Sequence, residues 1–214
     1  MIAEIKRSSP SRGPINLALE SRAQARAYEA GGAAAISVLT EPERFGGRNQ
    51  DLVEARDTSL PILRKDFHIA ASQLEEARAI GASAALIIVR AIEPSQLMDL
   101  AATAREISLE IVFEVRSESE LQIALDAGAI LIGVNNRDLE TLDVDPSTVE
   151  RLLPLVPSVC VAIAESGYVS RSDVERAARA GADAVLVGSS LSASGDPAAA
   201  VRQLTCVKKL GRAR

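Results

Sequence analysis

One arrangement of apolar and polar positions returns four times along the chain. EAGGAAAISVL (29–39), AIGASAALIIV (79–89), DAGAILIGV (126–134) and RAGADAVLV (179–187) each leave an Ala-rich helical stretch, pass a Gly and a small residue, and enter an apolar, largely β-branched run. Gly is common just past a helix C-terminus because it adopts the left-handed conformation without steric cost. A continuous apolar run is what a parallel strand buried on both faces requires. The repeated unit is therefore helix, tight turn, parallel strand. Filling the intervals gives strands near 2–6, 33–39, 60–64, 83–89, 109–115, 129–134, 159–164 and 183–187. Helices follow near 17–30, 48–57, 70–80, 93–106, 117–127, 146–153, 170–180 and 197–210. Pro94 and Pro197 fall where a first helical turn accepts Pro. Ser117 opens SESE, a capping-box pattern, and Ser170 opens SRSD, a weaker form of it.

Strict alternation of eight strands and eight helices predicts an α/β fold of the (β/α)8 TIM-barrel type, a parallel eight-stranded barrel forming one domain over 1–214. An open doubly wound sheet is the alternative. It would need a switch point, and no GxGxxG or Walker loop marks one.

Composition narrows this picture. Aromatic residues are only 2% of the 214, so Ala, Val, Ile and Leu must build the core. The net charge of -5 comes from acids and bases mixed along the chain, which argues against a nucleic-acid surface. Cys160 and Cys206 form no CxxC, so a reducing, cytoplasmic setting without a disulfide framework is expected. No apolar run approaches the ~20 residues of a membrane span, and charge arrives too early for a signal peptide. The basic tail KKLGRAR reads as a frayed, solvated end.

The first strand departs from its own pattern. MIAEIKRSSPSRG places Glu4 and Lys6 where a central strand should be apolar, and strand alternation puts both on one side. In a barrel the active site lies at the C-terminal strand ends. The third strand ends in Lys65, the fifth carries Glu114, the sixth ends in Asn135, Asn136 and Arg137, the seventh in Glu165, Ser166 and Gly167, and the eighth in Gly188, Ser189 and Ser190. A lone charge at a strand end is usually a solvated rim residue. Two lysines and three glutamates at one rim point instead to acid and base chemistry in a confined space. The small ESG and GSS turns offer backbone N–H groups and hydroxyls to a phosphate, at the strands where barrels often bind one. Asp143 and Asp145 read as loop and cap residues, and His68 has no Cys or His nearby. No metal is assigned.

IAEIKRSSPSRG, SVLTEPERFGG, PILRKDF, IVFEV, LIGVNNRDL, IAESG and VLVGSSL, in this order, resemble the indole-3-glycerol phosphate synthase family of tryptophan biosynthesis over almost the whole chain. The family's usual N-terminal extension ahead of the first strand is lacking in this sequence. The resemblance implies conversion of 1-(2-carboxyphenylamino)-1-deoxyribulose 5-phosphate to indole-3-glycerol phosphate with loss of CO2 and water, by a carboxy-lyase without cofactor or metal. It implies that Lys65 is the general acid of ring closure, that Glu114 is its carboxylate partner, and that Lys6 binds substrate anions and serves dehydration beside Glu4. Asn135, Arg137, Glu165 and Ser166 would position the anthranilate and sugar parts. Ser9, Gly167, Gly188 and Ser189 would grip the phosphate, and Phe67 and Leu139 would wall the aromatic pocket.

From the residues themselves, a lysine in such a pocket donates a proton more readily if desolvation lowers its pKa. Two further readings compete: a non-catalytic barrel that only binds phosphate ligands, and a phosphoribosylanthranilate isomerase. The second would be expected to end its first strand in a cysteine, where this chain has Lys6. The expected partner is a phosphorylated small molecule, with no nucleic acid or membrane, and the chain is expected to be a monomer or weak homo-oligomer.

Overall fold

Ile2 pairs with Ala35 on one side and with Leu186 on the other, and this double pairing closes the sheet into a ring. The computed structural model describes residues 1–208. Its barrel strands are β1 (Ile2–Ile5), β2 (Ala35–Leu39), β3 (Ile62–Lys65), β4 (Ala84–Ile88), β5 (Glu110–Val115), β6 (Leu131–Asn135), β7 (Val161–Glu165) and β8 (Ala184–Val187). All are parallel, and each pairs with its sequence neighbours around a closed barrel. The main helices are α1 (Ser21–Ala30), α2 (Asn49–Ala55), α3 (Ala71–Ala79), α4 (Pro94–Glu106), α5 (Glu118–Asp126), α6 (Ser147–Leu152), α7 (Arg171–Arg179) and α8 (Pro197–Leu204). The expected (β/α)8 barrel is the observed fold.

The four repeated turns work as their composition requires. Gly32, Gly81, Gly128 and Gly181 have φ of 89°, 100°, 82° and 101°. The next residue then donates its N–H back five positions: Ala33 to Tyr28 O, Ala82 to Ala77 O, Ala129 to Ala124 O and Ala182 to Ala177 O. These bonds satisfy carbonyls that a helix end would leave orphaned. At the other ends, Ser117 Oγ accepts from Glu120 N, and Ser170 with Asp173 forms a complete capping box. SRSD is thus as full a signal as SESE.

Side chains alternate along each strand. Leu63, Ala84, Leu86, Ile88, Val112, Ile163 and Leu186 fill the inside of the ring. The outward set, including Ala3, Ile36, Ile87, Ile132 and Ala162, packs against the helices. Ala25, Ala77, Ala104, Ala124 and Ala177 lie on the helix faces turned to the strands. Such small side chains let helices approach closely, so aliphatic residues fill the core with few aromatics.

Some elements differ from the sequence expectation. α1 begins at Ser21 rather than near 17, because the Leu19 carbonyl is engaged by Arg7 Nη2 at 2.9 Å. α8 ends at Leu204, and residues 209–214, which hold most of the basic tail, lie outside the described residues. A hairpin of Ser8–Ser9 with Gly13–Pro14, and short helices at Pro42–Phe45 and Ser189–Ser192, were not expected. They are too short to leave a periodic pattern. The Pro42–Phe45 turn exists because the Glu41 carboxylate accepts the N–H groups of Glu43, Arg44 and Phe45. β3, β6 and β7 each run one residue further than expected, and those last residues are Lys65, Asn135 and Glu165.

Candidate active site

The inward positions near the C-terminal strand ends change from aliphatic to charged. Above Leu63 on β3 comes Lys65, above Val112 on β5 comes Glu114, above Ile163 on β7 comes Glu165, and above Ile2 come Glu4 on β1 and Lys6 just past its end. Alternation by two forces these side chains into the ring. Glu4, Glu114 and Glu165 are only 2%, 3% and 1% exposed. Burying carboxylates at that depth is costly unless they are paired. Lys6 Nζ lies 2.7 Å from Glu4 Oε1. Lys65 Nζ lies 3.1 Å from Glu114 Oε2 and 3.5 Å from Glu165 Oε2. Asn135 Nδ2 donates to Glu114 Oε1 at 2.9 Å, and Asn135 Oδ1 accepts from Arg137 N at 2.9 Å, so the amide is held in one orientation.

Two glycines on the inner face make room for the carboxylates. A methyl group at Gly133 on β6 would collide with Oε1 of Glu165, and one at Gly188 would collide with Oε1 of Glu4. No larger residue fits either position without displacing the carboxyl group beside it.

Three carboxylates and two ammonium groups in so small a volume perturb one another. Burial pushes Glu165 up to about 8, with Glu114 and Glu4 adding to the shift and Lys65 opposing it. Its Oε1 has no hydrogen-bond partner among the described residues, which suits a carboxyl that holds a proton near neutrality. Lys65 corrects the expectation that burial leaves it a readier donor. Desolvation is the largest single influence and pulls its pKa down. The attraction of Glu114, Glu165 and Glu4 outweighs this and drives the pKa up. Lys65 is an ammonium throughout the neutral range.

Over this floor stands a cavity of about 390 Å³, within the range of small-molecule sites. Glu4, Lys6, Lys65, Glu114, Asn135 and Glu165 meet in its wall, and with them Arg137, Ser166, Gly167, Gly188, Ser189, Phe67 and Leu139. Ser9 does not join them. It is buried, with its hydroxyl 3.5 Å from Ser11 Oγ. The wall also contains Arg12, Phe45, Val144 and Tyr168, which sequence reasoning passed over. Each is a loop residue without a period; Arg12 and Phe45 fall inside quoted motifs but were not singled out in them. Arg12 stands near enough to Arg137 to lower the latter's pKa, after the larger effect of burial. Two facing guanidinium groups make that part of the wall attractive to anions.

The remaining candidates are structural. Asp145 accepts from Ser147 N at 3.0 Å, as a cap residue does. His68 is buried with Nδ1 2.8 Å from Leu86 O, and burial pushes its pKa down. Arg90 pairs with Glu140, and Arg116 with Asp138 at 2.9 Å, so both arginines tie down the loop that carries Leu139.

Among solved structures, thiamine phosphate pyrophosphorylase from Pyrococcus furiosus is similar to this chain at a TM-score of 0.69 and 17% identity, over 95% of this chain and 91% of that one. N-acetylmannosamine-6-phosphate 2-epimerase from Clostridium perfringens gives 0.67 at 17% identity, over 88% and 86%. At such identities the likeness concerns the barrel alone. The sequence relatives say more. Indole-3-glycerol phosphate synthase of Streptomyces griseus is 50% identical over 205 residues, 95% of this chain and 76% of that protein. The synthase of Nocardioides sp. is 49% identical over 209 residues, covering 97% and 80%. That of Dehalococcoides mccartyi is 43% identical over 208 residues, covering 95% and 80%. The model of the family described as indole-3-glycerol phosphate synthase matches residues 1–204, so the chain belongs to that family of decarboxylating lyases of tryptophan biosynthesis.

Proposed function

We propose that the cavity converts 1-(2-carboxyphenylamino)-1-deoxyribulose 5-phosphate to indole-3-glycerol phosphate, CO2 and water, with the residues of its floor moving the protons. The observation that carries this reading is the position of Lys65 Nζ, held between Glu114 and Glu165 at the bottom of the cavity.

Ring closure joins the carboxylate-bearing carbon of the anthranilate ring to the sugar's ketone carbon. The ketone oxygen becomes an alkoxide and needs a proton. Lys65 supplies it. Its raised pKa suits this role, because an alkoxide is basic enough to take a proton from an ammonium that the neighbouring carboxylates cannot deprotonate. The new bond leaves the ring carbon tetrahedral, and departure of CO2 restores aromaticity. Loss of the hydroxyl as water then needs an acid on the oxygen and a base for a proton on the adjoining carbon. In the closed ring, β5 stands opposite β1. The Lys6–Glu4 and Lys65–Glu114 pairs therefore supply an acid and a base from two sides of a substrate between them.

The rest of the wall holds the substrate. Arg137 and Lys6 attract the anthranilate carboxylate, and Phe67 and Leu139 contact the aromatic ring. Backbone N–H groups of Gly167, Gly188 and Ser189 bind the phosphate, and Ser166 orients the sugar. Ser9 shapes its loop rather than touching the ligand. Asn135 fixes the Glu114 carboxylate through its amide. We place the protein in the cytoplasm as one barrel domain, a monomer or weak homo-oligomer; no helix among the described residues is long and apolar enough to cross a membrane.

Purified protein mixed with the carboxyphenylamino-deoxyribulose phosphate should generate the indole product, followed by its fluorescence, with one CO2 released per turnover. Folded protein that binds this substrate and leaves it unchanged would overturn the proposal in favour of a binding barrel.

A further inference from the structure

Asn136 follows the last residue of β6 and is 2% exposed. Every polar group it has is engaged. Its N–H donates to Glu165 O at 3.0 Å, and its carbonyl accepts from Asp145 N at 2.9 Å. Its side-chain Oδ1 accepts from Val149 N, inside α6, at 3.1 Å. Its Nδ2 donates to Ser166 O at 3.1 Å and to Tyr168 Oη at 3.2 Å. The bond from Val149 N fixes which end of the amide is the oxygen, so the donor end must face Ser166 and Tyr168.

That donor end reaches a strained turn of the site. Ser166 has φ 67°, a left-handed conformation that non-glycine residues adopt at a cost of about 1 kcal/mol or more. Gly167 follows at φ 88°. A turn of this kind persists only when its surroundings hold it. The Asn136 amide is the side chain hydrogen-bonded to the Ser166 carbonyl, and it grips Tyr168 on the far side of Gly167.

We propose that Asn136 is a positioning residue. It keeps the Ser166–Gly167 turn left-handed, so that the Ser166 hydroxyl and the Gly167 N–H face the cavity before the ligand arrives. Asn136 does not line the cavity, so it acts through the turn. This inference rests on the proposed function only for the ligand that the turn meets. The geometry of the turn is independent of it.

Asn136→Asp separates the two duties of the amide. A carboxylate still accepts from Val149 N, and it cannot donate to Ser166 O. With parent and N136D both turning over the carboxyphenylamino-deoxyribulose phosphate, N136D should raise KM about fivefold to tenfold, the effect of one lost hydrogen bond. kcat should stay within about threefold, while the thermal midpoint should fall, because the new carboxylate is buried without a cationic partner. A crystal structure of N136D should show Ser166 out of the left-handed region. Ser166 unchanged in φ, or KM within twofold of the parent, overturns the inference. So does a loss of kcat in proportion to lost stability, which would mark a purely structural role. If the parent has no turnover, the proposed reaction fails separately, and the φ of Ser166 in N136D still decides this inference. Asn136→Ser removes the donor without adding charge and is read by the same measures should N136D not fold.

Discussion

The ammonium of Lys65 and the carboxylate of Glu114 meet at 3.1 Å although 49 residues separate them in the chain. One ends β3, the other lies near the end of β5, and both point into the ring because each is an even number of residues beyond an inward aliphatic neighbour. The pair is the centre of the proposed chemistry, and its surroundings set what can be tested.

Replacing Lys65 with Met keeps most of the side chain's volume and removes the proton donor. Turnover should fall by about 10²- to 10⁴-fold, the usual worth of a positioned acid. KM should change much less, because the anion-attracting groups remain. Steady-state kinetics on protein shown to be folded by circular dichroism check this, and a variant within tenfold of the parent would remove Lys65 from the reaction.

Glu165 gives a pH dependence with a definite sign. Its folded pKa, about 8, is raised above the ordinary 4.5, so the folded state keeps a proton that the unfolded chain releases. Through this group, stability is greatest at low pH and falls as pH rises from about 4.5 to about 8. The thermal midpoint should drop between pH 6 and pH 9 in the parent and drop less in Glu165→Gln, which stays neutral. Equal drops in the two proteins would show that Glu165 titrates normally.

The space beside Gly133 is occupied by the carboxyl group of Glu165. Gly133→Ala drives a methyl into Oε1 of Glu165 and should destabilise the protein by about 1–3 kcal/mol, as overpacking does. Adding Glu165→Ala removes the obstruction, so the double variant should lose less than the two single losses summed. Urea denaturation of the four proteins measures the coupling. Simple additivity would mean that the two residues do not press on each other.

Beyond the pocket, Arg7 is joined to the fully buried Asp51 at 2.5 and 2.9 Å, with Ser21 and Arg48 also bonded to that carboxylate. Burial would raise the Asp51 pKa, but the hydrogen bonds from Arg7, Arg48 and Ser21 bring it below its ordinary value. Its contribution to stability is therefore present above the ordinary Asp range and lost as pH falls through the lowered pKa. Asp51→Ala strands the Arg7 guanidinium and should cost about 3–5 kcal/mol at pH 7. Arg7 adjoins Lys6, so kcat/KM should fall as well. Denaturant titration at pH 7 decides, and a loss below 1 kcal/mol would show that the pair is dispensable.

The repeated Gly turns, the apolar runs and the charges in β1 were legible because each is a local rule written in adjacent letters. Gly32, Gly81, Gly128 and Gly181 mark helix ends by conformation alone. Glu4 and Lys6 betray an inward polar rim by alternation alone. The rule that a barrel site lies at the C-terminal strand ends carried the reading to Lys65, Glu114, Asn135 and Glu165. Arg12, Phe45 and Tyr168 were not legible, since loop residues have no period. Ser9, which the resemblance implied as part of the phosphate grip, lies off the cavity wall, because a motif does not say which way a loop side chain turns.

The chain's order of apolar and small residues determined the barrel and which rim is polar, because helix ends and strand faces follow from backbone geometry within a few residues. Only the tertiary structure decided the protonation of that rim. Lys65 is held charged and Glu165 is held protonated because residues from β1, β3, β5 and β7 share one volume shielded from water. The balance between desolvation and attraction there depends on distances that no neighbouring letters contain.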